Sequence, residues 1–229
     1  MKTIGLVGGT SWASTIDYYR IINEEMNNRR GGLNFAKIVL YSLDFGEVHA
    51  FEMNKDVGGI RSLLVEAAKK LEGIGAQCIL LCANTMHIHA ERVQNSVGVP
   101  LLHIADATAV EINKKKMTKV GLLGTKLTME LDFYKKRLLS HGITAMVPPL
   151  EDRNFIHHAI DTELVKSLIV PATKARFLRI IDDLRDQGAE GVVLGCTEIP
   201  LLIKQDDTSL PVFDTTRIHS LAAVDFALG

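Results

Sequence analysis

The chain has 229 residues, 47% of them hydrophobic, enough for one large domain or two smaller lobes with cores of their own. Its 26 basic and 27 acidic side chains nearly cancel, so there is no electrostatic footprint for nucleic acid or an anionic membrane surface. Six prolines and 18 glycines fit compact architecture rather than disorder, and no stretch approaches the roughly 18 consecutive apolar residues of a transmembrane helix.

The opening MKTIGLVGGTSW has too short an apolar run for a signal peptide and reads as a first strand over 3–8. A helical pattern over 14–29 follows, then a strand over 36–42, a helix over 56–74, a strand over 77–82, a helix over 86–97 and a strand over 100–104. The second half continues with strands over 119–124, 143–147, 191–195 and 211–214, and helices over 126–140, 172–187 and 215–228. Alternating elements with continuously apolar strands predict the α/β class, with mostly parallel sheets flanked by helices. The three cysteines, at 78, 82 and 196, are an odd number and make no disulfide framework. They point to a reducing, cytoplasmic compartment.

The halves echo one another. IGLVGGTS (4–11) returns as VGLLGTKL (120–127), GAQCILLCANT (75–85) as GAEGVVLGCTE (188–198), and VPLLHIADATAVEI (99–112) as LPVFDTTRIHSLAAV (210–224). Three ordered echoes at nearly one offset predict two pseudo-symmetric lobes, 1–98 with 208–229 and 99–207. In each lobe a strand ends at a cysteine, Cys82 or Cys196. Parallel sheets bind ligands at the carboxyl ends of their strands, so lobes facing each other would bring two thiols to one cleft.

Two opposed thiols suit inversion of a carbon centre. A free cysteine titrates near about 8.5, and a helix start lowers that value. One thiolate can remove a proton from one face while the other thiol delivers one to the opposite face, with no cofactor. Asn84, Thr85 and Thr197 put donors beside the sulfurs, and the loops GGTS (8–11) and GTKLT (124–128) offer glycines and hydroxyls for a carboxylate.

The segments ILLCANTMH (79–87) and VVLGCTEIPLL (192–202) resemble the two active-site signatures of the cofactor-independent aspartate/glutamate racemase superfamily. IGLVGGTSWAST (4–15), HIADAT (103–108) and PVFDTT (211–216) extend the resemblance over the whole chain, closest to the aspartate racemase and broad-specificity branch. The resemblance implies an active site between two lobes, commonly a homodimer, and no cofactor or metal. It implies Cys82 and Cys196 as the acid/base pair, with substrate contacts at Thr10, Ser11, Asn84, Thr85, Thr125, Lys166 and Thr197. Where aspartate racemases of this type carry an arginine for the distal carboxylate, this chain reads YSLDFGEVHAFEM, with His49 and Glu52. Glu52 would repel an acidic side chain. Aspartate or glutamate is the default substrate, a neutral or basic amino acid the alternative, and a binding protein without turnover the reading from another class.

Other residues read more plainly. Cys78, inside a strand, is a core side chain. The spacing of Cys82, His87, His89, Cys196 and Glu198 fits no compact zinc pattern, and His87 and His89 read as capping or surface residues at a helix start. The GLVGGT turn lacks the dinucleotide spacing. Trp12 either lines the cleft or packs on the first helix, and Glu198 either orients Cys196 or caps the next helix.

Overall fold

The computed structural model describes all 229 residues. They form two compact units, Met1–Ile104 with Thr216–Gly229, and Ala105–Thr215. The first unit carries β1 (Ile4–Gly8), α1 (Trp12–Arg30), β2 (Ile38–Ser42), α2 (Phe45–Met53), α3 (Val57–Gly73), β3 (Cys78–Leu81), a 3-10 turn (Thr85–His89) and α4 (Ala90–Gln94). Helix α5 (Ile104–Lys114) leads into the second unit. There β4 (Lys119–Gly124), α6 (Lys126–Glu130), α7 (Asp132–Ser140), β5 (Thr144–Met146), α8 (Leu150–Thr162), α9 (Pro171–Asp186), β6 (Gly191–Gly195), α10 (Ile199–Leu202) and β7 (Val212–Asp214) follow in turn. Helix α11 (Thr215–Leu228) returns to the first unit. No helix is long and apolar enough to cross a membrane.

Both sheets are wholly parallel, in the orders β2-β1-β3 and β5-β4-β6-β7. A single bridge from Ile79 to Leu101 puts a rudimentary fourth strand beside β3, where the second unit has β7 beside β6. The sequence echo is therefore a repeat of topology. That bridge keeps residues up to Ile104 with the first unit, and the pairing of β7 with β6 keeps residues up to Thr215 with the second. The crossovers thus follow Ile104 and Thr215, whereas the sequence reading put them after 98 and 207.

The inner strands β1, β3, β4 and β6 are buried on both faces, while β2 and β5 at the sheet edges are partly exposed, and alternation sorts the side chains. Val7, Ile79 and Leu81 pack with Leu64 and Leu71 of α3. Ile4, Leu6, Leu80 and Cys82 pack with Tyr18, Ile22 and Met26 of α1 and Ala223 and Val224 of α11. In the second unit Leu123, Val192, Leu194 and Cys196 pack with Ile156 and Ile160 of α8 and Phe177 and Ile181 of α9.

Some expected elements differ. The helix over 126–140 is two helices, because Leu131 takes an extended backbone between them. The helix over 86–97 is a 3-10 turn and five residues of α4. The strand over 100–104 shrinks to the bridge at Leu101, since α5 already begins at Ile104. Helix α2 lies where no helix was expected, because only its Val48 is buried, which leaves no apolar stripe to read.

Candidate active site

The carboxyl edge of the first sheet is built around two glycines. Gly9 has φ +88°, and a Cβ there would stand 2.1 Å from the Leu43 carbonyl oxygen, so only glycine fits. A Cβ on Gly8 would meet the Thr15 side chain at 2.5 Å. Their absence lets α1 start close against the strand end. Ser11 caps α1, accepting from the Ser14 amide at 3.3 Å, and Thr15 Oγ1 accepts from the Gly9 amide at 3.0 Å. Ser14 Oγ then ties the two strand ends together, its one hydrogen shared between the Ser11 carbonyl at 2.9 Å and the Cys82 carbonyl at 3.0 Å. This edge gathers Thr10, Ser11, Cys82, Asn84 and Thr85. Thr10 Oγ1 is sealed from solvent with no hydrogen-bond partner, and Asn84 is buried at the head of the 3-10 turn.

The second unit repeats the design with different chemistry. A Cβ on Gly124 would stand 2.8 Å from the Gly195 carbonyl, so glycine permits the close pairing of β4 and β6. Thr125 caps α6. Cys196 directly follows β6, and its Sγ donates to Glu198 Oε2 at 3.0 Å. Thr197 Oγ1 donates to the same oxygen at 2.6 Å. Glu198 stands at the N-cap position of α10 without a side-chain capping bond, and its carboxylate accepts from Cys196. Lys166 ends a 3-10 turn, Leu164–Lys166, that packs against α10, and its side chain is exposed.

The two cysteines do not occupy equivalent positions. Leu81 is level with Val7, so Cys82 comes level with Gly8. Gly195 is level with Gly124, the echo of Gly8, so Cys196 lies one residue further along. One residue changes the face. Cys82 packs on the side of the first helix of its unit, α1, and Cys196 on the side of α8 and α9.

Both thiols are buried, Cys82 at 1% and Cys196 at 6% exposure. Burial pushes the Cys82 thiol well up. Burial, then the charge of Glu198 and the bond to it, hold Cys196 up as well. All three cysteines are free, and Cys78, wholly buried in β3, is pushed up to about 12 by burial. No three His, Cys, Asp or Glu side chains converge as a metal site requires. A cleft of about 300 Å³ lined by Met129, Glu130, Lys135, Val147, Leu150 and Arg153 touches neither Cys82 nor Cys196.

Several side chains depart from expectation. Glu52 lies exposed on α2, with His49 Nδ1 at 3.8 Å. Trp12 does not pack on α1; it is 74% exposed at the start of that helix. His87 and His89 are buried rather than on the surface, because the 3-10 turn after Cys82 tucks into the core. Arg61, on the first turns of α3, was not singled out in the sequence. It is half-buried, makes no ion pair, and its Nε is sealed without a partner. Its charge adds to burial in lowering the pKa of His89. An unpaired arginine carries no sequence signal of its own, since a partner would come from elsewhere in the fold.

The family model for Asp/Glu/hydantoin racemases matches residues 7–223. The chain belongs to the Asp/Glu/hydantoin racemase family. The racemases of that family are isomerases. It is 23% identical over 177 residues to the broad specificity amino-acid racemase RacX of Bacillus subtilis (strain 168), covering 72% of this chain and 71% of that one. A crystal structure of an Asp/Glu racemase candidate from Yersinia pestis superimposes with a TM-score of 0.96 at 46% identity over 100% of both chains. An aspartate racemase homologue from Pyrococcus horikoshii OT3 gives 0.88 at 39%, again over 100% of both.

Proposed function

We propose that the chain racemises an α-amino acid without a cofactor, with Cys82 and Cys196 as a two-base pair. One thiolate takes the α-proton from one face, and the other thiol gives a proton to the opposite face of the carbanion. The reverse reaction exchanges the roles. The observation that carries this reading is the Cys196–Glu198 contact: a buried thiol stands 3.0 Å from a carboxylate able to take its proton. Cys82, buried in apolar company, is suited to wait as the protonated partner. Thr10, Ser11, Asn84, Thr85, Thr125 and Thr197 are the donors for the substrate carboxylate and the carbanion it stabilises, with Lys166 as an anion partner. Thr10 supports this role because its hydroxyl has no partner within the protein.

Aspartate or glutamate is the substrate this reading favours. Arg61 supports it, as a half-buried cation without a carboxylate, on a helix that starts at the carboxyl edge of the first sheet. The second reading, a neutral or basic amino acid, draws on Glu52 near that edge. A homodimer fits the exposed apolar stripe of Trp12, Ile16 and Tyr19 on α1, and free thiols fit a cytoplasmic setting.

The test is incubation in D₂O with separate L- and D-amino acids, following α-proton exchange and chirality. Exchange with inversion is expected, fastest for acidic side chains, and Cys82→Ser and Cys196→Ser should each abolish inversion. Full racemisation by a Cys82→Ala, Cys196→Ala double variant would overturn the mechanism. Absence of exchange with every amino acid would favour a binding protein instead.

A further inference from the structure

A cluster of buried histidines in the first unit takes no part in the proton transfer proposed above. His87 is 2% exposed and His219 wholly buried. The His87 ring stands edge-on to His103 and His219, with centroids 4.7 and 5.5 Å away. Their partners fix where the protons sit, because a backbone carbonyl can only accept and a backbone amide only donate. His87 Nδ1 lies 2.9 Å from the Ala83 carbonyl and so carries the hydrogen, while Nε2 accepts from the Ile104 amide at 3.2 Å. His219 Nε2 donates to the Leu102 carbonyl at 2.7 Å, and its Nδ1 accepts from the Tyr18 hydroxyl at 2.8 Å. Both rings are therefore neutral, and between them they clamp residues 102–104.

The other end of the His87 ring reaches the thiol loop. Ala83 lies between Cys82 and Asn84. The Cys82 amide is tied to Val7 and its carbonyl to Ser14, so the Ala83 carbonyl is the next backbone acceptor along the loop. His87 fixes it, folding back over four residues, while its own amide donates to the Asn84 carbonyl at 3.0 Å. At Nε2 the same ring satisfies one of the donors that open α5. A rigid planar side chain thus joins the loop to a clamped stretch of backbone.

We infer that His87 is a positioning residue for Cys82 and Asn84: its Nδ1–H bond to Ala83 sets the path of the backbone that carries both side chains. The inference rests on the assignment of Cys82 as an acid/base thiol. Two conservative variants separate the two bonds of the ring. In His87→Asn the side-chain amide can replace the Nδ1–H donor, whereas in His87→Gln the side-chain oxygen can replace the Nε2 acceptor.

The experiment measures kcat and KM for racemisation, melting temperature, and the rate at which iodoacetamide alkylates Cys82, located by peptide mass spectrometry. His87→Asn should keep kcat within about threefold, while His87→Gln and His87→Ala lose about tenfold or more with KM little changed. Cys82 alkylation should stay slow in His87→Asn and quicken about tenfold in the other two, as the loop loosens. A merely structural histidine would make activity follow melting temperature instead. Wild-type kcat and alkylation in a folded His87→Gln would overturn the inference, and this holds even if His87→Ala does not fold. If the unaltered chain shows no α-proton exchange while the alkylation order holds, the racemase assignment fails and His87 is left holding the loop without a catalytic consequence.

Discussion

Replacing Glu198 with glutamine gives the sharpest test of how Cys196 is activated. The carboxylate accepts from Cys196 Sγ at 3.0 Å and from Thr197 Oγ1 at 2.6 Å on one oxygen. At an effective dielectric of about 20, a thiolate and a carboxylate that close repel by about 5 kcal/mol. The pair therefore holds one negative charge rather than two, and burial, which raises the thiol, works against the sulfur carrying it. Glutamine keeps the shape and the Thr197 contact but cannot take the proton, and the burial that raises the thiol remains. Loss of a general base of this kind costs about 10² to 10⁴ in rate, so Glu198→Gln should racemise at least about 100-fold more slowly near neutral pH. The deficit should narrow as pH rises, since the thiolate then forms without the carboxylate. L and D enantiomers have equal free energies in water, so kcat/KM must fall equally in both directions. Exchange in D₂O is free of that constraint. It should fail from the enantiomer that Cys196 deprotonates and persist from the other. Racemisation at the wild-type rate by Glu198→Gln, or equal loss of exchange from both enantiomers, would refute the reasoning.

Cys78→Ala is the matched control for the two proposed acid/base thiols: it removes a wholly buried sulfur from β3, so it should cost about 1–2 kcal/mol of stability in a urea melt and leave kcat unchanged within about twofold. Because both thiols of the proposed pair are held up, kcat/KM should climb from neutral into alkaline pH, and a pH profile peaking in the acid range would contradict the assignment. His219 contributes to acid stability. Burial, with a smaller push from His87, depresses its pKa from 6.5 to about 3. The neutral ring therefore contributes stability that is complete above 6.5 and is lost as pH falls from 6.5 toward 3, at about 1.4 kcal/mol per pH unit. Thermal melts between those limits should slope less in His219→Asn than in the unaltered chain.

Much of this was written along the chain. Continuous apolar runs of Leu, Ile and Val announce the inner strands, buried on both faces, because a parallel sheet covered by helices leaves no polar side to alternate with. The echoed segments announce two units with one strand order, and Cys82 and Cys196 stand at strand ends because each apolar run stops there. What the fold alone decided is pairwise. The one-residue offset between Cys82 and Cys196 is already present in the echoed segments, but that it sends Cys82 toward α1 and Cys196 toward α8 and α9 depends on which helices cover each face of the sheets. The burial of His87 and His219 depends on donors and acceptors contributed by residues far away in the chain, Tyr18 for His219 and Ile104 for His87. The choice of Glu198 to serve Cys196 rather than cap α10 was open in sequence, where both uses need the same residue at the same spacing. A sequence records periodicity and repetition along one dimension. Hydrogen bonding, sheet register and the depth of a titratable group are relations between distant residues, and only the folded chain fixes them.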